Sequence, residues 1–216
     1  MSDRAVPAPT IAGLVLAAGQ GARLGGRPKA LLRLDGVPLL QRVVAALADA
    51  GIAEVVVVTG HHAEQIEPLL ATLPVRGIRN PRPQDGPTSS LREGLAAVSS
   101  SVSAIVVALA DQPLLDAADV AALLEAWRRR PAGIDVLYPQ VDGQRGNPVI
   151  LSAAVRDDLM SAPPTFSARA WQAAHPQRCL PWSTDNRHYR VDIDTAEDLA
   201  RFASETGHVL HWPQTA

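Results

Sequence analysis

Short, nearly unbroken apolar runs alternate along this chain with longer stretches whose apolar positions recur every three or four residues. The runs Ile11–Ala17 (IAGLVLA), Glu54–Thr59 (EVVVVT) and 104–110 (AIVVALA) have the pattern of strands covered on both faces. A shorter run at 75–79 reads as a further strand. Between them, 38–50, 62–71, 88–98 and 116–130 read as helices. Pro38 suits a first helical turn, Gly51 stops that helix, Pro68 weakens the last turn of the second, and Thr and Ser caps open the third. The alternation predicts an α/β fold, a mainly parallel sheet with helices on both faces. Ligands of such sheets bind outside the carboxyl ends of the strands. The glycine-rich stretch after the first run, and Asp111 at the end of the run 104–110, both fall at such ends.

Beyond residue 135 the pattern changes. VLYPQVDGQRGNPVIL (136–151) predicts a β-hairpin or two antiparallel strands around Asp142-Gly143. Helices at 153–159 and 166–174, a strand at 188–193 and a final helix from Thr195 follow. Residues 1–10, with two prolines, read as a loose leader and 206–216 as a tail, flanking a single domain over 11–205.

Composition narrows the partner. With 216 residues, 47% of them hydrophobic but only 4% aromatic, the core is built of Ala, Val and Leu. Twenty basic against 22 acidic residues leave a net charge of -2. No basic surface for nucleic acid is marked, and neither a cationic amphipathic face nor a spanning run for a membrane. A lone cysteine, Cys179, excludes an intrachain disulfide and a thiolate metal cluster. The chain reads as a cytoplasmic protein that meets a small molecule in a pocket.

The glycine-rich stretch LAAGQGARLGGRPKALL (16–32) fits neither familiar phosphate template. Gly21 and Gly26 have Walker spacing, but Arg27, Pro28, Lys29 and Ala30 follow where lysine and hydroxyl are needed. Gly19 and Gly21 begin a dinucleotide fingerprint, but Leu24 takes its third glycine position. What remains is a loop whose glycines let backbone N–H groups approach a polyanion, with Arg23 and Lys29 adding charge at two points along it. Cations spread along a triphosphate suit transfer chemistry, in which charge moves toward departing pyrophosphate.

Other residues carry two readings each. Asp111, in Asp-Gln-Pro, is either a turn aspartate or a carboxylate for a divalent metal bridging phosphates. Asp192 and Asp194, two apart on the expected strand, share one side of it as metal ligands. Alternatively, Asp194 or Thr195 caps the last helix, with Thr195 and Asp198 forming a capping box. Ser89 and Ser90, after Gly86, cap a helix or read a base or ribose, and Asn80 is a candidate of the same kind. Adjacent His61 and His62 point different ways with no third ligand, which favours structural or helix-start roles. Arg145, Gly146, Asn147 and Pro148 form a turn that can face a second substrate.

The loop 16–32 resembles the signature of nucleotidyltransferases that activate cofactors and sugars. Together with VVVVTGHHAEQI, NPRPQDGPTSSLREGL, ALADQPLL, GQRGNPVIL and VDIDTAEDL in that order, it most resembles the molybdenum cofactor cytidylyltransferases. The resemblance spans about residues 11 to 202. It implies a three-layer α/β/α Rossmann-like nucleotidyltransferase fold, with 11–115 binding the nucleotide and 116–205 the acceptor. The implied reaction joins CMP from CTP to the phosphate of molybdopterin, with Mg²⁺ and pyrophosphate release. Lys29 then serves the α-phosphate, Arg23 the departing β,γ-phosphates, and Asp111 the magnesium, with Asp192 or Asp194 as second ligand. Leu16, Ala17, Ala18, Gly19, Gly21, Gly86, Asn80 and Ser90 line the nucleotide.

Leu-Ala-Ala-Gly at the loop entrance is the CTP form, relatives using GTP tending to carry Leu-x-Gly-Gly, and methyls at Ala17 and Ala18 leave room for a pyrimidine. Arg145, Asn147 and Arg169 face the acceptor. Asn147 stands where many relatives have histidine, and 162–171 departs from the usual pattern except at Ser167-Ala168-Arg169. Docking on a molybdenum oxidoreductase is a further implied partnership. The alternatives are a guanylyl or a sugar- or alcohol-phosphate nucleotidyltransferase, a carrier of the molybdenum cofactor, and a small oxidoreductase.

Overall fold

The computed structural model describes residues 10–213; the expected leader, apart from Thr10, and the last three residues lie outside them. The first apolar run forms β1 (Ile11–Ala17), whose neighbours are β4 (Glu54–Thr59) and β6 (Ala104–Leu109), both parallel to it. The chain leaves β1 through α1 (Leu39–Asp49) to β4, then through α2 (Ala63–Leu70) to the edge strand β5 (Arg76–Arg79). It returns through α3 (Pro87–Ala97) to the other side of β1, where β6 lies. The order therefore reverses between β1 and β6. Such a switch point opens a crevice at the strands' carboxyl ends.

Past β6, α4 (Ala117–Arg128) leads to β7 (Val136–Val141), a hairpin to β8 (Gln144–Arg145), and β9 (Val149–Ser152). The hairpin turns at Asp142 and Gly143, both with positive φ (51° and 74°), as a tight hairpin turn requires. β9 runs antiparallel to both β6 and β7. Helices α5 (Ala153–Ser161) and α6 (Ala168–Ala174) follow, then β10 (Cys179–Ser183), parallel to β7 at the second edge.

Two layers of helices cover this sheet. Val43, Leu47, Leu123 and Trp127 of α1 and α4 pack on Val15, Val57 and Val106 from one face. Leu95 of α3, Val155 of α5 and Trp171 of α6 meet Leu14, Val56 and Ile105 from the other. Each such side chain contributes about 1.5–3 kcal/mol by leaving water. The three-layer α/β/α Rossmann-like arrangement is as expected, with a mainly parallel sheet.

A third, smaller core was not expected. Two-residue strands β2 (Arg33–Leu34), β3 (Val37–Pro38) and β11 (Leu210–His211) form a three-stranded sheet. Beneath it Leu24, Leu32, Leu34 and Leu39 pack with Ile193, with Phe202 of α7 (Ala196–Thr206), and with Leu210. Leu210 and His211 of the expected tail thus pair with β2 beside the glycine-rich loop.

The expected strand at 188–193 is absent. Arg187–Arg190 form a 3₁₀ turn, and 191–194 run without ladder partners. Tyr189 is drawn inward, its hydroxyl donating to the Asp119 carbonyl at 2.8 Å. Its own carbonyl accepts the Asn147 N–H at 2.8 Å and lies 2.5 Å from where a Cβ on Gly146 would stand. Only glycine allows that approach. The true strand of this region, β10, was missed because Pro181 and a mixed polarity hide it. Nor do serine caps open α3: it starts at Pro87 behind Gly86, and no side chain caps it.

Candidate active site

At the switch point the chain leaves β1 into a tightly curled loop. Gly21 sits at φ 65°, and a Cβ there would stand 2.1 Å from the Arg27 carbonyl oxygen. Its own carbonyl accepts Leu24 N–H at 2.8 Å and Gly26 N–H at 3.0 Å. This curl buries Leu24 in the small core and turns Arg23 outward. The His62 ring, just before α2, holds the loop from outside through the Gln20 carbonyl at 2.9 Å.

Arg23 and Lys29 of the loop are not free. Lys29 Nζ donates to Asp111 Oδ2 and, at 2.6 Å, to Asp194 Oδ1. The other oxygen of Asp194 accepts Arg23 Nη2 at 2.8 Å. One network therefore links Arg23, Asp194, Lys29 and Asp111. Burial works against the charge on Lys29, but Asp111 and Asp194 outweigh it and raise its pKa above that of an ordinary lysine. Burial alone would raise Asp194, yet Lys29 and Arg23 hold its carboxyl below the usual range. Asp192 behaves oppositely: burial, then the like charges of Asp111 and Asp194, push it up. Asp192 and Asp194 do not share one side of a strand; they lie on the irregular segment before α7, where only Asp194 is paired. Thr195 and Asp198 do form the capping box, so the structural and the functional readings of this segment hold together.

A cavity of about 590 Å³ opens on this network at the ends of β1 and β6. Leu16, Ala17, Ala18, Gly19, Lys29, Gly86, Ser90 and Asp111 all line it. Asn80 does not. It is buried behind the wall, donating to Ser89 Oγ at 2.8 Å and Ser90 Oγ at 3.0 Å while accepting Arg82 N–H at 2.9 Å. It holds the serines in place, and Ser89 further donates to the Gly86 carbonyl. Sequence reasoning passed over Gln20, Pro83 and Gln84 and gave His61 a structural or helix-start role, yet all four also form the wall. Their signal was position: each flanks a strand end or the Gly86 turn. His62 fits its structural role, whereas His61 faces the cavity.

On the hairpin side, Asn147 is tied by its backbone, accepting Gln112 Nε2 at 3.0 Å, next to Asp111. Arg145 stacks over the Tyr138 ring at 4.3 Å and donates to Gln172. Its neighbour Arg169 is exposed, and among the described residues neither arginine has a carboxylate partner. Neither lines the 590 Å³ cavity.

A second acidic group, Asp116, Asp119 and His188, brings ligand-type atoms within 4.8 Å of one another. Protein donors already fill it. Asp116 accepts Asp119 N–H, and Asp119 accepts Asp116 N–H together with Asn186 and His188. It latches the 186–189 turn onto α4.

Arg23 and Lys29 of the glycine-rich loop, joined through Asp194 and to the strand-end Asp111 beside a mostly apolar cavity at a switch point, suit a nucleotidyltransferase. The MobA-like NTP transferase domain matches residues 13–179, and the chain belongs to that family. It is 33% identical over 203 residues to nicotine blue oxidoreductase of Paenarthrobacter nicotinovorans, covering 89% of this chain and 96% of that one. A solved nucleotidyl transferase from Methanothermobacter thermautotroptrophicus is 28% identical, with TM-score 0.72 over 91% of this chain and 97% of that one. Rv0371c of Mycobacterium tuberculosis H37Rv, 24% identical, shares the fold at TM-score 0.74 over 91% and 98%. Among the described residues no helix is long and apolar enough to cross a membrane.

Proposed function

We propose that this chain transfers a cytidylyl group from CTP to the phosphate of a molybdopterin acceptor, releasing pyrophosphate. The observation that carries this reading is the placement of Lys29 and Asp111 in the wall of the 590 Å³ cavity, with Asp194 and Arg23 joined to Lys29 behind them. An oxygen of the acceptor phosphate bonds to the α-phosphorus. The bond from that phosphorus to pyrophosphate breaks, and pyrophosphate leaves with the electron pair. The acceptor phosphate is already ionised, so the protein need not remove a proton. Its work is in-line positioning and charge stabilisation. Lys29 serves the α-phosphate, and the more exposed Arg23 reaches the β- and γ-phosphates. Each cation exchanges carboxylate oxygens for phosphate oxygens as the nucleotide enters.

The donor set also fits a divalent ion. Asp111 Oδ1 is buried without any hydrogen-bond partner, a costly state for a carboxylate oxygen. Asp111 with Asp192 or Asp194 would hold Mg²⁺, which takes one or two carboxylates beside substrate phosphates. Held there, it would supply charge neutralisation to the phosphates. Ala17 and Ala18 in the cavity wall support a pyrimidine base, and Ser90 and Gly86, which line the same cavity, would meet it. Arg145, Asn147 and Arg169 frame the acceptor side, and handing the product to a molybdenum oxidoreductase belongs to the same reading.

Pyrophosphate release, measured with molybdopterin, Mg²⁺ and each NTP in turn, tests this. Release with CTP above the other three is expected; release with GTP in its place overturns the role of Ala17 and Ala18, and none with any NTP ends the transferase reading. The likeness to nicotine blue oxidoreductase favours a second reading, a redox role for the same cavity. Leu24, buried where a dinucleotide loop needs glycine, counts against it. Oxidation of NADH or NADPH by the chain with a dye acceptor would support it.

A further inference from the structure

The residue that fixes Asp194 lies outside the network itself. Asp198, in the first turn of α7, accepts the Thr195 N–H at 2.8 Å, and Thr195 Oγ1 accepts the Asp198 N–H at 3.1 Å. These two bonds close the capping box. The same Asp198 oxygen also accepts the N–H of Asp194 at 3.0 Å, which a capping box does not require. Its other oxygen accepts from Arg201. One turn further along α7, Phe202 is buried with Leu24, Leu32 and Leu210, so loop and helix rest on one core.

We propose that Asp198 is a positioning residue for the nucleotide site: by holding the Asp194 backbone at the head of α7, it sets where Lys29 and Arg23 rest. A carboxylate held by two backbone donors has a single orientation, and groups behind a site commonly set the aim of those in it. Released from Asp198, Asp194 turns about its own backbone. Lys29 then keeps Asp111 alone, and Arg23, with its side chain 67% exposed, loses its only ion-pair partner among the described residues. α7 thereby couples the carboxylate and the cations across the 171 positions that separate Arg23 from Asp194.

The inference rests on the transferase reading only for its turnover arm. Lys29 is the single lysine of the chain, the other nineteen basic side chains being arginine. Its ammonium therefore gives one side-chain resonance by NMR, readable in the full chain without ligand. Asp198→Ala should shift that resonance or broaden it away. Asp198→Asn keeps an oxygen for the backbone donors and should leave it in place. Ser152→Ala, which removes the cap of α5, should also leave it in place. If Asp198→Ala does not fold, Asp198→Ser, too short to reach the Asp194 N–H, should move the signal in the same way. In turnover, kcat should fall about tenfold in the Ala or Ser variant with the acceptor KM unchanged, and return in Asp198→Asn. An unmoved Lys29 signal in the Ala or Ser variant, or an equal change in Ser152→Ala, overturns the proposal. A wild-type chain that releases no pyrophosphate removes the transferase reading instead, and the NMR arm still decides the role of Asp198.

Discussion

On the cavity side Lys29 is 16% exposed and held by two carboxylates, whereas on the hairpin side Arg145 lies over the Tyr138 ring and Arg169 stands in solvent. The first arrangement is a closed set of charges, assembled before any ligand arrives. The second offers positive charge with no carboxylate to displace. A preassembled site loses little freedom on binding and can be exact about geometry, while an open one adapts to the shape of what it meets. Under the transferase reading, the reacting phosphates belong to the closed side and the bulk of the acceptor to the open side.

The largest blow to that contrast should come from Lys29→Ala, with a loss of about 10²–10³-fold in kcat measured by pyrophosphate release. A loss no greater than that of Ser90→Ala would mean the roles are misassigned. Gly21→Ala should follow, because a Cβ meets the Arg27 carbonyl at 2.1 Å and φ is positive. Nucleotide-induced thermal stabilisation should disappear, and the free protein should lose about 1–3 kcal/mol in denaturant melts. Arg145→Ala and Arg169→Ala should raise the acceptor KM about tenfold each, the equivalent of one charge-assisted hydrogen bond, and leave the KM for CTP alone. A matching change in the nucleotide KM would merge the two sides into one.

The smallest effect concerns the support of the open side. Asp135 accepts Ser152 Oγ at 2.7 Å and Arg178 Nε at 2.8 Å, tying β9 to the start of β10. Burial works to raise its pKa, but these hydrogen bonds and the Arg178 and Arg130 charges hold it below the usual carboxylate range. Its contribution is therefore complete above the unfolded-state pKa of about 4 and fades as pH falls through the lower folded value. Asp135→Asn should cost about 1–2 kcal/mol at pH 7, and the gap to wild type in thermal melts should narrow toward pH 3. A gap independent of pH would show that charge plays no part.

The buried strands were legible because a continuous apolar run has one economical use, the centre of a sheet covered twice. Their ends then pointed to the loop and to Asp111. The edges were harder. CLPWS has neither a run nor an alternation, and HYRVDI alternates without being a strand, since Tyr189 packs inward on Asp119 and Gly146. Strands of two residues, such as β2 and β11, carry no periodic signal at all.

Alone, then, the amino-acid sequence determined the layered parallel sheet, the end of it on which the glycine-rich loop and Asp111 fall, and the cations that loop carries. These follow from local properties: apolar periodicity, glycine at positive φ, charge at strand ends. Only the tertiary structure decided how those charges pair. Lys29 meets Asp111 across 82 positions and Asp194 across 165, and no local pattern records contacts of that span. They exist because α7 and β11 fold back onto the loop and bury Phe202 and Leu210 against Leu24, a packing gain that brings opposite charges within hydrogen-bond reach.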